Sequence, residues 1–230
     1  MIHMKAVKTI ISTLIVLTAF FVLFDFCIYF VVFSPGYLMN RYHKYDVAGQ
    51  LSMTDTDLRK VTVLLTDYVK GKADSIEITV SVRGEENLFY NEKDLSHMKD
   101  VRGIIITIRD LFVLSVFAVF LFGFYLIREK DAKAFRNGAL IAVSLIVLIA
   151  AWVAIAANVN LDWMIVFFHG VFFNNSDWLL DPRVDNLIFL CPEQLFIDAG
   201  KTLGIIWITF LVLITGFALI CPKLIKKVRD

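Results

Sequence analysis

The sequence predicts an α-helical integral membrane protein with four transmembrane helices and a small α+β extracellular cap. Hydrophobic residues make up 58% of the 230 residues and the mean hydropathy is +0.71, too apolar for an ordinary soluble domain. Four apolar segments are each long enough to cross a hydrocarbon core of roughly 30 Å, which takes about 20 helical residues. They are Ile10–Phe33, Gly103–Ile127, Gly138–Ala157 and Leu203–Cys221. Because a backbone in lipid must satisfy its own hydrogen bonds, all four are expected to be helices.

These spans divide the chain into five stretches. They are residues 1–33, the N-terminal tail and first membrane helix; 34–102, a first extracellular cap segment; 103–157, two membrane helices with a short cytoplasmic loop; 158–200, a second cap segment; and 201–230, the fourth helix with a basic cytoplasmic tail. The first apolar run exceeds the roughly 7–15 residues of a signal-peptide core, and no Ala-x-Ala-like site follows it. It is therefore expected to be a retained helix.

Basic residues cluster at one set of helix ends. They are Lys5 and Lys8 before the first span, Arg128, Lys130, Lys133 and Arg136 in the short loop, and Lys223, Lys226, Lys227 and Arg229 after the last span. The connection between the third and fourth spans contains only Arg183. The positive-inside rule then predicts a multi-pass membrane protein with both termini and the short loop cytoplasmic and both long connections outside.

The first outer connection shows helix and hairpin patterns. An apolar stripe over Thr54–Lys70 predicts a helix with Thr54 or Asp55 as its cap and Gly71 in the left-handed position after it. Alternation from Ile76 to Val82 predicts a strand, Gly84 a turn, and Leu88–Tyr90 a returning strand.

The end of that connection leads directly into the second span. Asn91 is the expected cap of a helix with Asp94 at its third position. Because only a tolerable Gly103 interrupts the pattern, His97 is expected one or two turns above the membrane on a helix continuous with the span.

The second outer connection is rich in aromatic residues. Leu161–Phe173 predicts an interfacial helix. Asp181-Pro182 and Cys191-Pro192 each predict a helix start, because Pro is preorganised for the first helical position.

Two histidines, His97 and His169, are the first candidates for chemistry. Histidine changes protonation near neutral pH and suits general acid–base catalysis. Both are expected at the outer membrane level, although each alone is more often a surface or structural histidine. His43 is expected to be solvated and His3 to lie in the cytoplasmic leader, so neither is assigned a role.

Charged residues nearby are candidates for orienting groups or for positioning a substrate: Asp100, Arg109, Asp110, Asp181 and Asp185. Asp100 follows His97 by one helical turn and could orient its ring, or it could be a solvated surface acid. Arg109 and Asp110 near the outer end of a span are functional candidates by default, and a structural ion pair is an equal alternative. Asp181 and Asp185 could bind an amine or cap helices.

Aromatic side chains could line a pocket for acyl chains: Phe168, Phe172, Phe173 and Trp178. The alternative is the aromatic belt that occurs at any membrane interface, which is the more frequent case.

Several function classes lack support. The net charge of +1 argues against nucleic acid as a partner. The three cysteines offer no disulfide framework or CxxC metal site, and no GxSxG, HExxH or phosphate-binding glycine loop occurs. A zinc-dependent membrane hydrolase, with zinc held by two histidines and a carboxylate, stays open as an alternative. No local spacing of ligands supports it.

Two sequence blocks and the order of the segments resemble a known family. The first block is His97-Met98-Lys99-Asp100-Val101; the second is the pattern of His169, Phe172-Phe173, Trp178, Asp181, Asp185, Pro192-Glu193 and Asp198. Together with the order of spans, they resemble the bacterial lipoprotein intramolecular transacylases over nearly the whole chain.

The resemblance implies a four-helix membrane bundle with an extracellular cap. It also implies a reaction in which the sn-2 acyl chain of a lipoprotein's diacylglyceryl group moves to the α-amino group of the N-terminal cysteine, leaving a lyso-form lipoprotein. The family's catalytic histidines carry over to His97 and His169, and its reaction needs no cofactor or metal. The diacylglyceryl lipoprotein and membrane lipid are the expected partners. The alternative is a non-catalytic membrane adaptor or sensor whose cap binds a partner.

Overall fold

The computed structural model describes the backbone of residues 2–229 and the side chains of residues 3–126 and 128–223. In this part of the chain the structure is mostly helical, with one small sheet. The helices are α1 (Ile2–Phe26), which continues into a π-helical segment (Cys27–Val32), α2 (Pro35–Lys44), α3 (Val47–Leu51), α4 (Asp55–Val69), α5 (Glu92–Glu129), α6 (Ala132–Val159), α7 (Leu161–Phe172), α8 (Leu187–Leu190) and α9 (Glu193–Arg229). The strands β1 (Thr79–Val82) and β2 (Glu85–Leu88) form an antiparallel hairpin.

Four helical stretches of the described chain are long and apolar enough to cross a membrane. They are His3–Val32, Glu92–Leu126, Ala132–Val159 and Leu187–Lys223. Each overlaps one of the four apolar segments predicted from the sequence to within one residue of its full length, so the helical membrane fold is confirmed. The helices extend beyond the apolar segments, because capping residues and polar outer turns continue them.

The chain divides into two compact units. The first is formed by the described residues up to Asp25, by Leu111–Phe167 and by the described chain from Leu203 onward. The second is formed by Phe26–Asp110 and Phe168–Thr202. Both predicted outer segments thus contribute to the second unit, except that residues 158–167 belong to the first.

The first unit packs its helices closely around small side chains. Its core contains Ile15, Val16, Ala139, Ala142 and Ala218. A Cβ atom on Gly138 of α6 would lie 2.5 Å from the Ser12 Cβ and 2.6 Å from the Thr9 carbonyl oxygen of α1. Small residues that let helix backbones approach are a common basis for helix association in membranes.

The second unit is built on its own hydrophobic core. Leu51, Leu58, Val61, Phe89 and Leu190 are among its fully buried members, contributed by α3, α4, the segment between β2 and α5, and α8. This core fixes the outer segments to each other, because each supplies apolar side chains that neither could bury alone.

Two short helices of this unit, α2 and α3, were missed by the sequence analysis. The Ser34 hydroxyl accepts a hydrogen bond from the Tyr37 N–H, and Pro35 occupies the first helical turn. A Ser-Pro pair of this kind is itself a helix-start signal. For α3, Asp46 adopts a left-handed conformation with φ of 54° and accepts from the Gly49 N–H at 3.3 Å.

The predicted surface helix and hairpin are present with shifted strand bounds. Thr54 caps α4 by accepting from the Asp57 N–H at 3.1 Å, and Gly71 has a φ of +74°, as predicted. Arg83 and Gly84 both have positive φ, which makes a tight two-residue turn. Because pairing resumes at once, the return strand is Glu85–Leu88, and the prediction of Leu88–Tyr90 was wrong.

Helix α5 begins at the predicted cap. The Asn91 side chain accepts from the Asp94 N–H at 2.9 Å, and the Asp94 carboxylate accepts from the Asn91 N–H at 3.3 Å. This reciprocal capping satisfies two otherwise unpaired donors. The helix then runs uninterrupted to Glu129, so the prediction that His97 lies on a helix continuous with a membrane span is confirmed.

The predicted helix start at Asp181-Pro182 was wrong. Asp181 instead opens a single turn, in which its carbonyl accepts from the Val184 and Asp185 N–H groups at 3.0 and 2.8 Å. Its carboxylate accepts from the Arg183 N–H at 2.9 Å, a local bond that competes with helix propagation. The second predicted start is confirmed, since α9 begins at Glu193 immediately after Pro192.

Candidate functional site

His97 is held by the first turns of α5. The helix turns it into the second unit, where it is buried with 8% of its surface exposed. Its Nδ1 atom is buried and has no hydrogen-bond partner among the described residues. A buried ring nitrogen without a partner is uncommon and indicates a group prepared to bind a proton or a ligand.

His169 lies in the last turn of α7 and is only partly buried. Its ring centroid is 5.9 Å from that of His97, with an angle of 36° between the planes. Two imidazoles from separate predicted outer segments therefore meet at one place in the second unit. At this distance one substrate group can contact both rings.

Aromatic side chains enclose the two imidazoles. Trp178 stacks on His169 with centroids 4.5 Å apart and planes 22° apart. Phe168 presents an edge to the same ring at 5.6 Å. The buried Phe173 contacts both histidines, at 5.1 Å from His97 and 5.5 Å from His169. The environment of the pair is therefore apolar on several sides.

The predicted aromatic residues differ in their exposure. Phe173 is buried, whereas Phe168 and Phe172 pack on each other at 4.6 Å and leave 48% and 49% of their surfaces exposed. The exposed pair forms an apolar surface that adjoins His169 through Phe168. Such a surface is suited to hydrocarbon chains.

Polar side chains connect the loop after α7 to the first turns of α5. The Ser96 hydroxyl donates to the Asp177 carboxylate at 2.6 Å. The Asn175 amide donates to the Asp100 carboxylate at 2.8 Å. Asp100, which was predicted to orient His97, thus binds the neighbouring loop by a charge-assisted hydrogen bond.

Asp185 is the buried centre of another polar connection. Its carboxylate accepts from the Asn91 amide at 2.6 Å and from the Asp181 N–H at 2.6 Å, and the Lys93 ammonium lies 3.6 Å away. Burial alone would raise the pKa of Asp185, but these hydrogen bonds and the Lys93 charge outweigh it and lower the pKa below its ordinary value. Lys93 also donates to the Leu179 carbonyl.

Asp181 is held by Arg183. The side-chain hydrogen bonds from Arg183 lower the pKa of Asp181 to about 2. The carboxylate is therefore ionised and already paired at neutral pH.

Arg109 and Asp110 lie further along α5. Arg109 donates to the Asp110 carboxylate at 2.8 Å, and both residues are exposed. Because they follow His97 by twelve and thirteen residues, the helix rise of about 1.5 Å per residue places them roughly 18 Å along the axis from it. Their predicted role in positioning a substrate stays a prediction, and it would act at a distance from the two rings.

Metal ligands do not converge here in the described part of the chain. No group of three or more His, Cys, Asp or Glu residues that could hold a metal ion occurs among the described residues. The chemistry that the geometry itself offers is proton transfer by two imidazoles in an apolar setting.

The sequence analysis missed Asn175, Ser96 and Asp177. Each makes its bond across a large sequence separation, so no local spacing marks it. The only local signal is the Asn-Ser-Asp run, whose residues favour the turn that the Asn175 side chain makes with the Asp177 N–H at 3.1 Å.

Comparison with known proteins gives one family. The family model for the lipoprotein intramolecular transacylase Lit matches residues 13–196. No curated protein sequence matches the chain.

Solved structures share the fold. The membrane integral lipoprotein intramolecular transacylase Lit from Bacillus cereus is 20% identical with a TM-score of 0.71, over 100% of this chain and 99% of that chain. Two variants of the Bacillus cereus protein, with arginine or alanine in place of one histidine, are each 19% identical with a TM-score of 0.67. They cover 98% of this chain, and this chain covers 92% and 93% of theirs.

Proposed function

Because this chain belongs to the lipoprotein intramolecular transacylase family, we propose that it moves an acyl chain within one lipoprotein molecule, using His97 and His169 as its catalytic pair. The donor is the sn-2 ester of the diacylglyceryl group on the N-terminal cysteine. The acceptor is the α-amino group of the same cysteine. The product is an N-acylated lyso-form lipoprotein.

The observation that carries this proposal is the proximity of the two imidazole rings, 5.9 Å between centroids. They come from α5 and α7, two helices whose histidines are more than seventy positions apart in the sequence. A transacylation needs one group to remove a proton from the attacking amine and one to deliver a proton to the leaving oxygen.

The reaction balances without water or a cofactor. The neutral amine nitrogen attacks the ester carbonyl carbon, forming a C–N bond, while one imidazole removes the amine proton. The tetrahedral intermediate then expels the sn-2 glyceryl oxygen, breaking the C–O bond. That oxygen takes a proton from the other imidazole, so that an amide and a glyceryl hydroxyl result.

The contacts of the two rings support a division of roles. The face of Trp178 stacks on His169, and an aromatic face attracts a cation. The indole face can therefore stabilise positive charge that develops on His169 during the reaction, and we assign to this ring the stabilisation of the oxyanion and the protonation of the leaving oxygen. His97, with its unpartnered Nδ1, then acts as the base.

The apolar surroundings support transfer over hydrolysis. Phe168, Phe173 and Trp178 contact His169 and limit the access of water to the reacting carbonyl. Because donor and acceptor are parts of one molecule, the protein mainly has to hold them close together, and such orientation lowers the barrier by several kcal/mol, up to roughly 7–11. The exposed Phe168–Phe172 surface is proposed to hold an acyl chain.

The proposal includes an orientation in the cell membrane. The basic residues at both chain ends and in the α5–α6 loop support cytoplasmic termini. The second unit, and with it the two histidines, would then face the extracellular side, where the lipid-modified N terminus of a lipoprotein is anchored.

Mass spectrometry of lipoprotein N-terminal peptides tests the proposal. Cells that express the chain should contain N-acyl lyso-form peptides, and cells with His97→Ala or His169→Ala should contain diacylglyceryl peptides with a free amine. His43→Ala is the matched control, because His43 belongs to the same unit but is exposed and pairs with Asp55.

Two outcomes would contradict the proposal. If both variants fold and leave the acylation state unchanged, the chain acts as a non-catalytic adaptor or sensor. If the purified protein contains stoichiometric zinc and a chelator abolishes activity, it is a metal-dependent enzyme.

A further inference from the structure

We infer that Asn175 is a positioning residue of the reaction, which sets the orientation of His169 relative to His97; this inference rests on the proposed function. Asn175 lies in the loop after α7, and its side chain is exposed. It contacts neither imidazole. Its influence is argued through three hydrogen bonds that join α5 to the ring stacked on His169.

The first bond reaches the helix that bears His97. The Asn175 amide donates to the Asp100 carboxylate at 2.8 Å, and Asp100 follows His97 by one turn of α5. A hydrogen bond to a charged acceptor is stronger than one between neutral groups. This end of the connection is therefore fixed to the same rigid helix as His97.

The second and third bonds reach the ring that covers His169. The Trp178 indole N–H donates to the Asn175 carbonyl at 3.0 Å. The Asn175 side-chain oxygen accepts from the Asp177 N–H at 3.1 Å and shapes the turn between them. Because Trp178 stacks on His169 at 4.5 Å, the position of the turn determines where the indole face lies.

The connection thus runs from His97 through Asp100, Asn175 and Trp178 to His169. Replacing the Asn175 side chain removes its bonds to Asp100 and to the Asp177 N–H, and it leaves the turn tied to this part of α5 by the Ser96–Asp177 bond. The turn can then shift about that remaining bond. Since the Asn175 side chain is exposed, water can replace its hydrogen bonds, and the cost in stability is small. The cost in catalysis is larger, because a displacement of 1 Å at a reacting group can reduce a rate by about 100-fold.

Kinetics of the purified full-length protein with a synthetic diacylglyceryl lipopeptide tests this inference. Asn175→Ala should reduce kcat by about 10- to 100-fold with little change in KM, because the change acts on the relative position of the two rings and not on substrate binding. Asn175→Asp should reduce kcat at least as much, because two carboxylates then face each other.

The double variant Asp100→Asn with Asn175→Asp exchanges the two side chains. The amide at position 100 can then donate to the carboxylate at position 175, and that carboxylate can still accept from the Asp177 N–H. This exchange variant should recover kcat to within a few-fold of the wild type. Asn174→Asp is the matched control, since it adds the same charge to the preceding residue and leaves the bond between Asn175 and Asp100 in place. It should retain wild-type kcat.

Wild-type kcat in a folded Asn175→Ala protein would overturn the inference, and so would a folded exchange variant as slow as Asn175→Asp. If the single variants do not fold, the exchange variant decides by the same measure. Failure here is separate from failure of the proposed function, because His97→Ala and His169→Ala test the latter independently.

Discussion

The indole of Trp178 lies parallel to the imidazole of His169, with 4.5 Å between ring centroids and 22° between planes. Stacking at this distance restrains the imidazole, and the indole face can stabilise positive charge that develops on it during the reaction. Trp178→Leu is therefore expected to lower kcat by about tenfold, from the loss of a cation–π contribution of roughly 0.5–2 kcal/mol. Trp178→Phe should lose less.

Trp163→Leu is the control for this experiment. Trp163 lies on α7, the helix that carries His169, and it stacks on Phe167 at 5.3 Å in the first unit. Equal losses from both tryptophan variants would show a general effect of aromatic residues at the membrane interface and would contradict the specific role of Trp178.

The two histidines should behave as one catalytic group. His97→Ala and His169→Ala are each expected to lower kcat by about 10²–10⁴-fold, the range of general acid–base catalysis. The double variant should be only slightly worse than either single variant, because groups that act together are not additive. Turnover of the lipopeptide measures this, and multiplicative losses would mean that the rings act in separate steps.

Asp185 should stabilise the second unit in a pH-dependent way. Asp185→Ala leaves Asn91, Lys93 and the Asp181 N–H without their acceptor, at an expected cost of about 2–3 kcal/mol. Because the folded protein lowers the pKa of Asp185 below its ordinary value of 3.8, the contribution is complete above that value and is lost as pH falls below it.

Thermal unfolding in detergent checks this expectation. The difference in Tm between the wild type and Asp185→Asn should be constant near neutral pH and should close as the pH falls below about 4. A difference that persists unchanged in acid would show that the carboxylate charge does not stabilise the fold.

Gly138 should be the least replaceable glycine of the first unit. Gly138→Ala forces a Cβ within 2.7 Å of the backbone of α1, at Thr9 and Thr13, and is expected to cost about 1–3 kcal/mol. Gly216→Ala on α9 meets no atom within 4 Å and should be neutral or stabilising through helix propensity. The same unfolding assay compares them, and equal Tm values would refute close packing of α1 against α6.

Asp25 is expected to destabilise the folded protein. It is 1% exposed, and neither carboxylate oxygen has a hydrogen-bond partner among the described residues. Asp25→Leu removes these two unpartnered oxygens at similar volume and should raise the unfolding free energy by about 1 kcal/mol. If the variant is instead less active at unchanged stability, the carboxylate takes part in function.

Local signals in the sequence predicted much of this structure correctly. The Asn91–Asp94 capping pair and the Thr54 cap each lie within one helical turn, so neighbouring residues determine them. The spans follow from apolar length alone. The two histidines were chosen because their chemistry is distinctive and because the order of spans and the basic residues predict both segments on one side of the membrane.

Long-range polar contacts could not be predicted. The bond between Asn175 and Asp100 joins residues whose spacing in sequence has no periodic meaning. The return strand was misplaced because the aromatic side chains of Phe89 and Tyr90 were interpreted as part of a strand. They are instead buried in the core just before α5. At Asp181, competition between a side-chain turn and a helix start depended on Arg183 and Asp185, which the Asp-Pro pair alone does not reveal.

The Arg83-Gly84 turn also offers a practical way to report topology. Both residues are exposed, a Cβ on Gly84 meets nothing within 4 Å, and all four residues of β2 are exposed. Exposed loop tips of this kind tolerate inserted peptides. An epitope placed there would leave the histidine pair intact, and antibody labelling of unbroken cells would then reveal on which side of the bilayer the hairpin emerges.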